Sequence, residues 1–242
     1  MINPSRYFLA VLLLATAGNV ARADDIDAID RLSPSQFESF ADDLVAALSY
    51  KTSSPAEPLG VLGFDLGLGV SLVRLENAES WGVATGSTTE YLPIPKVSLT
   101  KGLPLDIDIG AFVAAVPGSN ILVYGGQVQY ALMAGNPVLP AVALRGGMTR
   151  LSGVEQLSLE TRSLELVISK GLFAFTPYAG IGRVWGDVTP SSTAAATLKT
   201  LSPTQDRIFA GLQFGLVIGS LSFEVDKTGD AVGASTKLGL RF

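Results

Sequence analysis

The side chains available for chemistry are few in kind. The 242-residue chain contains no cysteine and no histidine. It therefore lacks a thiolate nucleophile, a disulfide framework and the side chain that most often serves as general base or metal ligand near neutral pH. Carboxylates, guanidinium and ammonium groups and amides remain. Asp106 and Asp108 lie two apart in LPLDIDIG (103–110). On an extended strand they would share a face, and two carboxylates held close can share a proton. The same parity puts Asp65, Lys96, Gln127, Gln129, Arg145, Glu165, Arg207, Gln213, Glu224, Asp226, Lys237 and Arg241 on one side of their strands. Acids and bases crowded on one face are more often a mutually neutralising network than a catalytic site. The expectation is a protein that is not an enzyme, with no cofactor and no metal.

These residues need elements to position them. In VLGFDLGLGVSL (61–72) the positions Leu62, Phe64, Leu66, Leu68, Val70 and Leu72 are large and apolar, while Gly63, Asp65, Gly67, Gly69 and Ser71 are small or polar. A period of two predicts a strand with bulk on one face and almost nothing on the other. Ten such strands are expected, over 60–75, 92–101, 104–116, 121–132, 138–151, 157–170, 174–187, 205–218, 220–227 and 231–242. Parity is mixed in FTPYAGIGRVWGD (175–187) and does not orient that strand. Eight strands remain an alternative if 220–227 and a neighbour pair differently. Alternate connections are short (101–104, 133–137, 170–173, 218–220), whereas 76–91 and 187–204 are long.

The chain is 48% hydrophobic and 16% charged, and beyond its start it has no apolar run long enough for a spanning helix. It begins with Arg6, the run YFLAVLLLATA and Ala21-Arg22-Ala23, the pattern of a secretory signal peptide cleaved before Asp24. An exported, greasy chain without spanning helices points to the other structure a bilayer permits, a closed β-barrel. Its negative charge argues against nucleic acid. Large residues would then face lipid, and the glycines and polar residues a narrow interior. Three segments follow: 1–23 as signal peptide; 24–58 as acidic lead, amphipathic helix and linker; and 59–242 as barrel.

The helix is predicted from its cap. Ser33, Pro34 and Gln36 form a capping-box start, and Phe37, Phe40, Leu44 and Leu48 follow at helical spacing to about Tyr50. The even strand number places this helix on the short-turn, periplasmic side. Its apolar face is expected on the barrel mouth or the inner-leaflet edge, with a plug inside the lumen as the competing placement. In the long loop 76–91, Trp81 and Tyr91 suit an aromatic girdle.

KLGLRF (237–242), an alternating strand closed by Phe242, resembles the C-terminal signal of Gram-negative outer-membrane β-barrels, and TPYAGIG (176–182) is similar to a stretch common in their eight- and ten-stranded members. The resemblance implies an all-β transmembrane barrel of about ten strands, and recognition of Phe242 by the machinery that inserts barrels. Outer-membrane lipid and a small solute are the other expected partners. The enzymes of that membrane pair a histidine with a serine, which this chain cannot do. The favoured activity is a narrow passive channel for small polar or amphipathic solutes. The alternative is a closed structural or binding barrel that acts through its loops or helix.

Overall fold

The computed structural model describes residues 24–191 and 197–241; the expected signal peptide and Phe242 lie outside them. Ten strands make one closed antiparallel barrel: β1 Phe64–Arg74, β2 Tyr91–Leu103, β3 Ile107–Ala115, β4 Leu122–Met133, β5 Ala141–Ser152, β6 Leu157–Ser169, β7 Phe175–Pro190, β8 Thr204–Leu216, β9 Gly219–Thr228 and β10 Ala231–Arg241. Each strand pairs with its sequence neighbour, and β10 closes on β1 from Asp65 opposite Arg241 to Arg74 opposite Val232. The short β9 pairs in full with both β8 and β10, so the eight-strand alternative does not hold.

Every strand turns large apolar side chains outward, among them Leu66, Val97, Ile109, Val128, Ile181 and Val225. A sheet closed on itself has no edge and satisfies its backbone internally. With a continuous band of large apolar side chains outside and the charged Asp65, Arg145, Glu165, Arg207, Glu224 and Lys237 buried inside, it is a transmembrane barrel. β7 owes its mixed parity to small and charged residues: Tyr178, Gly180, Val184 and Gly186 point inward, and Ala179, Ile181, Arg183 and Trp185 outward. Asp106 corrects the expected Asp106/Asp108 pair. Leu105 and Asp106 both have positive φ in the three-residue connection 104–106, and Asp106 is exposed there rather than in the lumen.

Among the described residues two α-helices, α1 (Pro34–Leu48) and α2 (Ala78–Thr85), and a 3-10 turn at Ile29–Arg31 complete the fold. In α1 the Ser33 hydroxyl accepts from the Gln36 amide and the Gln36 side chain from the Ser33 amide. The expected short-turn position of α1 is overturned. Its neighbours are α2 in the β1–β2 connection, the long-loop ends of β6 and β7, and the start of β10. The chain ahead of it bonds to Asn120 and Gln156, in the β3–β4 and β5–β6 connections. The segment therefore begins at the long-loop end and must cross the whole lumen to enter β1 at Phe64, at the short-turn end. Loop 76–91 is partly helical, and Trp81 is buried under α1 instead of joining a girdle; Tyr91 is exposed on the outer wall. The expected loop at 187–204 is shorter, since β7 runs to Pro190 and Val188 bridges Leu201.

Because the chain has no cysteine, single thiols report sidedness cleanly. A membrane-impermeant maleimide is expected to label Glu38→Cys and Glu79→Cys from one side of the membrane and Leu172→Cys from the other. Labelling of Glu38→Cys together with Leu172→Cys would return the helix to the short-turn end.

Candidate functional site

The lumen is the candidate site, and its two halves differ in chemistry. Toward the long loops the inward wall is apolar, with Val73, Leu92, Ile94, Val123, Leu159 and Val184 buried. Phe37, Phe40, Leu44 and Leu48 of α1 pack into it, and Phe40 and Leu44 have no exposed surface at all. The wall makes room at Gly186, where a Cβ would collide with the Val45 side chain. Phe40 meets Trp81 edge to face at 4.7 Å. One buried carboxylate latches the two helices: Asp43 accepts from the Asn77 amide at 2.9 Å, from Asn77 Nδ2 at 3.1 Å and from Trp81 Nε1 at 3.2 Å. Burial pushes the Asp43 carboxyl above the usual range, against the pull of those donors. Tyr50, stacked on Phe112 at 4.2 Å, marks the floor of this half.

Below it the chain from Ser49 to Leu59 is a strap without helix or strand pairing, and residues 60–63 turn at the short-turn mouth, where Val61 and Leu62 are exposed. Extended backbone leaves N–H and C=O groups that must find partners where water is excluded. The inward polar residues supply them. Arg207 Nη1 donates to the Tyr50 carbonyl at 3.0 Å, Lys96 Nζ to that of Lys51, and Arg145 Nη2 to those of Ser54 and Pro55 at 2.9 and 3.3 Å. The Ala56 amide donates to Ser169 Oγ at 3.0 Å, and the Leu59 amide to Asp108 Oδ1 at 3.1 Å. Pro55 and Pro58 bring no N–H, which reduces the demand. Side chains join strap to wall twice more, as Thr52 Oγ1 donates to Gln127 Oε1 at 2.5 Å and Lys51 Nζ pairs with Asp226 Oδ2 at 2.7 Å.

The remaining charges pair within the wall. Arg207 lies 2.6 Å from Glu165, 3.0 Å from Glu224 and 3.7 Å from Asp226. Arg145 is 3.6 Å from Glu165 and donates to Gln129 Oε1 at 2.7 Å. Asp65 holds Lys237 at 3.3 Å and Arg241 at 2.8 Å, the latter at the short-turn mouth. Gly67 leaves space for the Lys237 stem, which lies 3.0 Å from where a Cβ would sit. The structure thus brings Asp65, Asp108, Gln127, Gln129, Arg145, Glu165, Arg207, Glu224, Asp226, Lys237 and Arg241 into one lumen, and leaves Asp106 outside it.

Sequence reasoning missed the apolar upper wall, although β6 carries its signal. Leu157 and Leu159 occupy one parity, and Leu164, Leu166 and Ile168 the other. The apolar face changes sides within a single strand. Among the described residues no three acidic side chains converge so as to hold a metal ion.

No family model and no curated protein sequence matches the chain. Among solved structures it is similar to the N-terminal β-barrel domain of OprF from Pseudomonas aeruginosa, at 12% identity over 76% of this chain and 99% of that one, with a TM-score of 0.38. It is also similar to the KdgM porin in complex with disordered oligogalacturonate (7%, 74% and 99%, TM-score 0.39). A third is the outer membrane protein OprG from Pseudomonas aeruginosa (10%, 78% and 99%, TM-score 0.35). At these values the likenesses carry no argument about the lumen.

Among the described residues Lys51 has no carboxylate but Asp226 within ion-pair distance, so removing the acid strands a buried ammonium. Asp226→Asn is expected to destabilise the folded barrel by about 3–5 kcal/mol, read as a fall in the urea midpoint of its heat-shifted gel band. The double variant Lys51→Met/Asp226→Leu should recover most of that loss. No recovery would mean that Asp226 acts through Arg207 and not through the strap.

Proposed function

We propose that this protein is a closed outer-membrane barrel, sealed along its axis by its own N-terminal segment, which works through its outer surfaces without carrying solute through its lumen. The observation behind this reading is the occupancy of the lumen. Two cavities left beside the segment hold about 20 and 10 Å³, roughly one water each or less. Opening would require α1 to leave an apolar socket, wetting both partners together. A buried Leu, Ile, Val or Phe contributes about 1.5–3 kcal/mol, and every 1.4 kcal/mol changes the opening equilibrium tenfold. The segment supplies eight such side chains: Ile26, Ile29, Leu32, Phe37, Phe40, Leu44, Val45 and Leu48.

A second reading keeps the narrow passive channel for small polar or amphipathic solutes, in gated form. It draws on the pairing of Arg207, Arg145, Lys237 and Arg241 with carboxylates of the wall itself. That ring stays neutralised when the strap is absent, so a vacated lower lumen would hydrate readily. Neither reading makes the protein an enzyme. Asp108 is committed to the strap backbone, and Glu165, Glu224 and Asp226 to cations.

Placement follows the same proposal. The signal peptide is removed before Asp24 in a Gram-negative cell, the short turns face the periplasm, and the strand ending at Phe242 engages the barrel-assembly machinery. The acidic lead and α1 are then presented at the cell surface.

Planar-bilayer conductance tests the two readings. Refolded residues 24–242 should be silent, while a variant lacking 24–57, with its barrel verified by heat-shifted mobility, should show steps if the lower lumen hydrates. Steps from the intact protein would contradict the closed barrel and restore the passive channel.

A further inference from the structure

Small residues interrupt the bulk of the outer wall at several places, among them Ala111 opposite Gly126 on β3 and β4, but a groove is formed between β6 and β9. Along the lipid face of β6 to β9 the side chains are bulky, except where Ala179 on β7 lies directly opposite Ala210 on β8. The two methyl groups floor a groove of about 770 Å³, walled by Ile168, Ile181, Ile208 and Val225. Its volume lies in the range of small-molecule sites, which are about 300–1,000 Å³. Small residues in a membrane-facing surface allow close approach of whatever lies against them.

The groove has a chemical polarity. At its long-loop edge stands Lys227, whose neighbour across the β9–β10 pairing is Val232, and Val232 in turn lies opposite Arg74 on β1. Lys227 has one ion pair, to the exposed Asp230 at 3.5 Å. Arg74, also exposed, has no ion pair among the described residues. Two cations on one row thus crown an apolar slot. A long lysine stem lies against apolar surface while its ammonium stays at the polar boundary. The matching ligand has an acyl chain for the slot and a negative charge at the level of the cations.

We infer that the groove over Ala179 and Ala210 is a binding site for an anionic lipid of the leaflet at the long-loop end, with an acyl chain along β7 and β8 and its charged head on Lys227 and Arg74. The site lies on the outside of the barrel, so it is the same whether the lumen is closed or conducting. It gives the barrel a preferred lipid without any contribution from the loops.

The test uses residues 24–242 purified in neutral detergent and examined by native mass spectrometry, with dimyristoyl phosphatidylglycerol as anionic probe and dimyristoyl phosphatidylcholine as neutral one. The two probes carry the same chains. Each cation at a membrane surface favours an anionic lipid about fivefold. Phosphatidylglycerol should therefore be retained at least fivefold better, and Lys227→Gln or Arg74→Gln should each reduce that preference about fivefold. Ala210→Phe, which fills the slot from the lipid side, should lower retention of both probes while heat-shifted mobility is unchanged. Equal retention of the two lipids by the parent protein overturns the inference, as does undiminished retention by Ala210→Phe. A dimer peak that Ala210→Phe abolishes would assign the groove to a second copy of the chain and overturn it too.

Discussion

An extended peptide cannot lie inside a membrane barrel unless each of its backbone groups finds a partner, and the lumen is organised around that constraint. A helix or a paired strand satisfies its own N–H and C=O groups; the strap from Tyr50 to Leu59 is neither. Arg207, Lys96, Arg145, Ser169 and Asp108 reach inward to its carbonyls and amides. An apolar wall at the same level would leave those groups buried and unpaired, at a cost of about 1–3 kcal/mol each. The charges that serve the strap are held in position by one another, with Arg207 as the hub between Glu165 and Glu224. The same ion pairs therefore neutralise the wall and orient the donors.

The other half of the lumen follows the opposite rule. α1 closes its own hydrogen bonds, so its surroundings need supply no polar partners, and the wall there is built like the core of a soluble domain. Ten strands matter here. About eight give an interior that wall side chains alone can fill, and two more leave room for an occupant. Glycine enlarges that room locally, most plainly at Gly186 under Val45. The handover between the two chemistries falls at Tyr50, whose ring stacks on Phe112 while its carbonyl accepts from Arg207.

Strand period and direction were legible in the sequence because lipid and lumen impose opposite demands on alternate residues. Leu66 against Gly67 and Val128 against Gln127 are unambiguous in that respect. The capping box at Ser33 was equally plain, since it depends on neighbours three residues apart. The position of α1 was not legible. Its apolar face, Phe37, Phe40, Leu44 and Leu48, fits a membrane edge or a protein core equally well. A lumen polar throughout would disfavour an apolar helix, whereas the upper wall is apolar. The change of sides between Leu159 and Leu164 in β6 signals this, yet it shows only when a strand is divided into an upper and a lower half. Asp106 failed for a local reason: the strand expected from residue 104 begins only at Ile107, and residues 104–106 form the turn before it. Trp81 was misplaced because the eight-residue α2 depends on burial under Phe40 and on the Asp43 latch, contacts that no local pattern announces.

Residues 49–59 run through the lumen of the assembled barrel, and a cross-link formed in the native membrane shows whether they do. Ala56→Cys combined with Ser169→Cys joins the strap to the wall where the Ala56 amide meets Ser169 Oγ at 3.0 Å. Ser71→Cys combined with Ser235→Cys is the reference, because those hydroxyls are 2.8 Å apart on paired strands. Mild oxidation is expected to close both disulfides to a similar extent, each seen as a mobility change on a non-reducing gel. A reference pair that closes while the Ala56–Ser169 pair stays reduced would place the strap outside the lumen.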